Sequence, residues 1–180
     1  MGDTGYDWVT QHLRSRYLNS TLHTVWIGED LATFPLWNLS GNLVGYQQYR
    51  PLASKEPENN PKEGRYFTRL EKGKVGVWGL ESWNLSNTLF VCEGVFDASK
   101  VTWLGYSAVA VLSFDVNPDT ASWLSTVSKF RHTVALCDSG KPGLKLAKHA
   151  TEHFQVEKYA DIGDCPIEYV HDLCSKLNKH

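Results

Sequence analysis

The chain has few cysteines, no excess of positive charge and no long apolar run. Its four cysteines, Cys92, Cys137, Cys165 and Cys174, form no CxxC pair, which excludes a zinc ribbon. They read as reduced thiols of a cytosolic protein, with Cys92 and Cys137 packed inside. The net charge of −2 excludes a global basic field, so any nucleic-acid contact must come from a local patch. No apolar stretch approaches the roughly 18 residues of a membrane span. The start MGDTGYDW has neither a basic nor an apolar signal region, so no signal peptide is expected. Internal repeats and low-complexity tracts are lacking too. What is present suffices for a folded protein. The 180 residues are 42% hydrophobic and 21% charged, enough to bury a core in one domain or two small ones. Seven Trp and eight Tyr supply core contacts and candidate surfaces for base stacking.

Two kinds of local pattern divide the chain near residues 81–87. Before the division, residues 6–18 place Trp8, Val9, Leu13 and Tyr17 at helical spacing. Residues 34–52 carry two apolar runs around Ser40-Gly41-Asn42, which predicts a hairpin. Residues 53–64 are polar and aperiodic, hence a loop. RYFTRL and KVGVWGL suggest a further pair of strands joined at Glu71-Lys72-Gly73. After the division, LFVCEG (89–94), AVAVLS (108–113) and TVALCD (133–138) are continuous apolar runs, the pattern of strands covered on both faces. Helical spacing separates them, and LKLAKHATEHF (144–154) predicts another helix. Alternating strands and helices imply an α/β fold with a mostly parallel sheet flanked by helices.

Ligands of such sheets gather at the carboxyl ends of the strands. Glu93 and Asp138 each close an apolar run. Gly94 permits a sharp turn after Glu93, Asp97 falls in the first turn of the next helix, and Asp164 lies in DIGDCPIEY. Carboxylates converging from separate loops repel one another, and a hard cation such as Mg²⁺ relieves that repulsion. The plainer alternative is that Asp138, Asp97 and Asp164 are helix caps or turn residues. Glu93, at the end of a buried strand, needs a partner in either case.

EGVFDASKVTWLGYSAVAVLS followed by VALCDSGKPGLKLAK resembles the Toprim domain of bacterial and phage DNA primases. GDCPIEYV (163–170) is similar to that family's downstream acidic segment. FPLWNLSGNLVGYQQYRPL and GRYFTRLEKGKVGVWGLE resemble its upstream segments. The resemblance implies an α+β N-terminal subdomain over residues 1–84 and a Toprim domain over 85–180. It implies a primase-type nucleotidyltransferase that makes short RNA primers on single-stranded DNA from ribonucleotides with Mg²⁺ or Mn²⁺. Glu93 and Asp138 would be catalytic. Glu93, Asp97, Asp138 and Asp164 would be the metal-site acids. Arg50, Arg65, Lys72, Lys74 and Lys141 would contact template or nucleotide phosphates. A replicative helicase or another replisome protein would be a partner. The setting would be the cytoplasm, in a phage or mobile element.

The family's Asp-x-Asp is here Asp138-Ser139-Gly140, so the second acid is missing, and Arg65 stands where the family usually has Lys. Ser139, Asp115 or a water could take the missing acid's place. The zinc-binding and helicase modules of larger primases have no counterpart, which points to a reduced core. Two other functions remain open. One is a degenerate Toprim module that only binds DNA, the replisome or an inhibited target. The other is a Toprim nuclease.

Overall fold

The computed structural model describes residues 5–56, 60–113, 116–140 and 144–179. Helix α1 (Gly5–Ser15) buries Val9 and Leu13, four residues apart on one stripe. Strands β1 (Trp26–Ile27), β2 (Ala32–Trp37), β3 (Leu43–Tyr49) and β4 (Tyr66–Leu70) form an antiparallel sheet in that order. The β2–β3 hairpin is the predicted one. Asn38 Oδ1 accepts from the N–H groups of Ser40 (3.0 Å) and Asn42 (2.9 Å), and Gly41 takes φ 76°, a left-handed turn that glycine adopts without strain. The 53–64 loop contains a 3-10 turn, Pro61–Glu63, capped by Asn60. Its residues 57–59 lie outside the described residues.

The predicted second strand pair is corrected. RYFTRL supplies β4, but KVGVWGL does not pair with it. Val77 instead bridges to Trp37, and Trp78 bridges to Ala110 in the other sheet. The chain passes from one sheet to the next between Val77 and Trp78, and Gly79, at φ 93°, opens the 3-10 turn Leu80–Ser82 that follows. The apolar run is therefore a strap between sheets rather than a strand of either.

Strands β5 (Leu89–Cys92), β6 (Ser107–Ala110), β7 (Thr133–Cys137) and β8 (Glu152–Gln155) form an all-parallel sheet in the order β6-β5-β7-β8. Every residue of β5, β6 and β7 is buried, as continuous apolar runs predict. Helix α2 (Val95–Trp103) follows β5 and α3 (Pro118–Val127) follows β6. The short α4 (Leu144–Ala147) follows β7, and α5 (Ile167–Leu177) ends the fold. On one sheet face Phe90, Cys92, Ala110 and Leu136 share a core with α2, α5 and the antiparallel half. On the other, Leu89, Val91, Val109 and Ala135 pack on Leu124 of α3 and Leu146 of α4.

The helix predicted over 144–154 is also corrected, because it stops at Ala147 and Glu152–Gln155 is a strand. Thr151 and Thr133 exchange bonds between backbone N–H and side-chain hydroxyl at 2.9 and 3.3 Å. The open edge of β7 thus supplies the partners that draw this segment out of the helix. No helix among the described residues is long and apolar enough to cross a membrane.

Candidate active site

A cleft of about 490 Å³ lies between the two sheets. Its acidic wall is built at the carboxyl edge of the parallel sheet. Glu93 follows β5 and Asp138 follows β7. These strands are adjacent, with Cys92 opposite Leu136, so both carboxylates leave the same sheet edge. Leu112, in the left-handed region at φ 63°, donates its N–H to the Glu93 carbonyl at 2.8 Å. Backbone strain beside a cleft of this kind marks a place that the surrounding structure holds firmly.

Asp97 sits in the first turn of α2, as expected, and is buried. Its Oδ2 accepts from Gly94 N–H (3.1 Å) and its Oδ1 from Gly163 N–H (2.7 Å). It therefore ties the β5–α2 turn to a 3-10 turn at Ile162–Asp164. Gly94 has an ordinary φ of −111°, so the expected sharp turn is not its role. A Cβ there would stand 2.8 Å from Asp97 Oδ2, and glycine is needed for space.

Asp161 is a cleft residue that the sequence pattern does not single out. It caps the 3-10 turn, accepting from Asp164 N–H at 2.8 Å, and it lines the cleft beside Asp164. Its only cue is Asp161-Ile162-Gly163-Asp164, an Asp three residues before another in a turn sequence. Arg16, just beyond α1, is a second such residue. Its guanidinium lies over the Phe96 ring, 4.6 Å from the centroid, and faces the cleft. Among the described residues it makes no side-chain hydrogen bond or ion pair.

The opposite wall is basic, aromatic and hydroxylic. Arg65, Lys55, Tyr49, Tyr66 and Thr68 line it. Tyr66 is 44% exposed and its ring lies 5.1 Å from that of Tyr49. Arg50 does not line the cleft; its guanidinium donates to Lys62 O (3.0 Å) and Gln48 Oε1 (3.4 Å). It shapes the loop from which Lys55 and Arg65 reach inward. Lys72 and Lys74 are exposed beyond the far end of β4, away from the cleft. Lys141 and Asp115 lie outside the described residues. Ser139 is exposed, and Gly140 adopts φ 89° where the second acid was looked for.

The acids hold one another's protons. Burial first, then the charges of Asp161 and Asp138, push Asp97 up to about 7. Burial, then the Glu93 charge, push Asp138 up to about 7. Burial, then the Asp97 charge, raise Glu93. Glu93, Asp97, Asp138 and Asp164 all line the one cleft, but among the described residues no three His, Cys, Asp or Glu side chains stand close enough to form a group that could hold a metal ion. A smaller donor set is present. Glu93 Oε1 and Asp138 Oδ1 are both buried and meet no donor of the surrounding fold, while the two carboxyls lie close enough to share a proton with each other. Two such carboxylate oxygens at one sheet edge suit a hard cation such as Mg²⁺, which takes one or two carboxylates and fills its shell with water and phosphate oxygens.

No family model and no curated protein matches the sequence. Solved structures do match. The primase fragment of the bacteriophage T7 primase-helicase aligns with a TM-score of 0.58 at 14% identity, over 82% of this chain and 62% of that one. The Aquifex aeolicus primase zinc-binding and RNA polymerase domains align with a TM-score of 0.58 at 19% identity, over 95% and 45%. The RNA polymerase domain of Mycobacterium tuberculosis primase, solved with double-stranded DNA, aligns with a TM-score of 0.60 at 15% identity, over 97% and 66%. The chain thus spans about half to two thirds of the primase structures it matches. Its antiparallel sheet, strap and parallel sheet together have the fold of the primase catalytic core.

Proposed function

We propose that this chain carries a Toprim-type primase core that joins ribonucleotides into short primers on single-stranded DNA. The observation that supports this best is the pair of buried oxygens on Glu93 and Asp138 that meet no donor of the surrounding fold, in a cleft that Arg16, Lys55 and Arg65 also line. Glu93 and Asp138 would hold one Mg²⁺ or Mn²⁺. A cation there supplies charge neutralisation for phosphate oxygens in phosphoryl transfer. Arg16, Lys55 and Arg65 would hold phosphates of nucleotide or template. Tyr66 would offer a ring for a base to stack on. Asp97, Asp161 and Asp164 would support the pair, with Asp97 fixing the loops. The primary test is incorporation of radiolabelled ribonucleotide on single-stranded DNA with Mn²⁺. Synthesis that stops on adding EDTA is expected, and incorporation that ignores the chelator would remove the proposal. The parallel test is an Mn²⁺ soak, with anomalous density expected between residues 93 and 138.

One observation favours a binding-only role instead. The loop after β7 lacks its second acid, and the Gly140 carbonyl is already engaged by Gln155 Nε2 at 2.6 Å. In that case DNA binding persists in EDTA and no nucleotide is incorporated.

The raised carboxyls predict two opposite pH trends. Asp97 and Asp138 titrate near 7 when folded and near 4 when unfolded. Between these values the folded state binds more protons, so stability without a cation falls as pH rises from about 4 to 7 and then levels. Cation binding needs the ionised acids, so Mn²⁺ affinity rises over the upper part of the same window. Thermal melts at pH 5 and pH 8, with and without Mn²⁺, check both signs.

A further inference from the structure

One buried cation in the molecule is not accounted for by packing or by phosphate contact. Lys100 lies on α2, one turn beyond Asp97, and is 4% exposed. Its Nζ donates to the Gly163 carbonyl and to the Cys165 carbonyl, both at 2.6 Å. The Tyr17 ring lies 5.2 Å from the same nitrogen. Two carbonyls and a ring face thus satisfy an ammonium that burial would otherwise penalise. Three residues earlier on the same helix, Asp97 accepts from the Gly163 N–H. Side chains at i and i+3 share a helix face, so α2 grips residue 163 at both its N–H and its carbonyl. The gripped residue lies between Asp161 and Asp164, which line the cleft.

We infer that Lys100 is a positioning residue: with Asp97 it clamps the 161–165 turn and so sets the distance from Asp161 and Asp164 to the Glu93–Asp138 pair. This rests on the cation site proposed above. The geometry gives the clamp a reason. The loop after β7 offers a glycine at 140 instead of an acid, so further negative charge at the cleft comes from the 161–164 turn. That turn is a single 3-10 turn closed locally by Asp161, and Asp97 and Lys100 tie it to α2. A merely structural lysine would stabilise the fold and leave the ion unaffected. A clamp transmits its loss to the ion, as supporting groups around a metal generally do.

The test is Mn²⁺ affinity, read by electron paramagnetic resonance on the full chain, for wild type, Lys100→Met, Lys100→Arg, Asp161→Asn and the Lys100→Met/Asp161→Asn double variant. Lys100→Met should weaken binding by roughly ten- to a hundredfold, with Lys100→Arg recovering part of it. The double variant should bind no more weakly than the worse single variant, because Lys100 acts through the turn. Amide hydrogen exchange at residues 161–165 should speed up in Lys100→Met while β5 and β7 stay protected. If the wild type binds Mn²⁺ and a folded Lys100→Met binds it equally, the clamp is overturned and the cation site stands. If Lys100→Met does not fold, Lys100→Arg and the Asp161→Asn arm decide. Wild-type affinity in both, with unchanged exchange at 161–165, overturns the clamp. If the wild type binds no Mn²⁺, both readings fall.

Discussion

Replacing Glu93 with Gln should abolish Mn²⁺ binding, cut primer synthesis by at least about a hundredfold, and make the cation-free protein more stable. The opposite signs are the informative part. Burial and the neighbouring acids raise Glu93, so its negative charge is held against a penalty. Gln keeps the shape and removes the charge. In the half-open cleft, solvent screens much of the repulsion, and a gain of about 2 °C in Tm is reasonable for a chain of this size. Functional sites often store strain of this kind. Asp138→Asn should behave alike. Melting curves without cation and incorporation assays with it can be run on the same samples. A Glu93→Gln protein that melts lower and still makes primers would contradict the site.

The largest effect on folding should come from Trp78. It is fully buried, lies at an edge-to-face angle to Phe34 and has the His23 ring 4.2 Å away. Its backbone N–H and carbonyl bond to Ala110 at 3.1 and 3.0 Å, which joins the strap to the parallel sheet. Trp78→Ala should cost about 3–5 kcal/mol, measured by urea unfolding. Its indole N–H has no partner, so Trp78→Phe removes an unsatisfied donor while keeping a ring and should cost less. Trp78→Ala should also reduce primer synthesis without touching any cleft side chain, since the two walls depend on the strap for their spacing.

Much of this was legible in the sequence, and the exceptions share a cause. β5 and β7 were readable because both faces are covered, which leaves an uninterrupted apolar run ending in an acid. That acid position is what made Glu93 and Asp138 visible as candidates. β8 was not readable, because an edge strand with three of its four residues only half-buried looks like the tail of an amphipathic helix. KVGVWGL read as a strand because composition records the wish to be buried, not the partner. Arg16 and Asp161 were invisible for a related reason. Each reaches the cleft from a segment whose local pattern says only helix end or turn, and only the packing of α1 and of the 3-10 turn against α2 brings them inward. Lys72 and Lys74, which the family resemblance put among the phosphate contacts, follow β4 at the end away from the cleft.

The walls of the cleft have separate origins along the chain. The basic and aromatic side comes from residues 16–68 and the acidic side from residues 93–164, joined by the strap at Val77 and Trp78 and by the packing of Phe34 and Tyr49 on Phe96. Recombination that exchanged either stretch would deliver a pocket with one lining. Such a sequence can be inherited profitably only as an uncut block, and natural breakpoints should avoid the interval from 69 to 92.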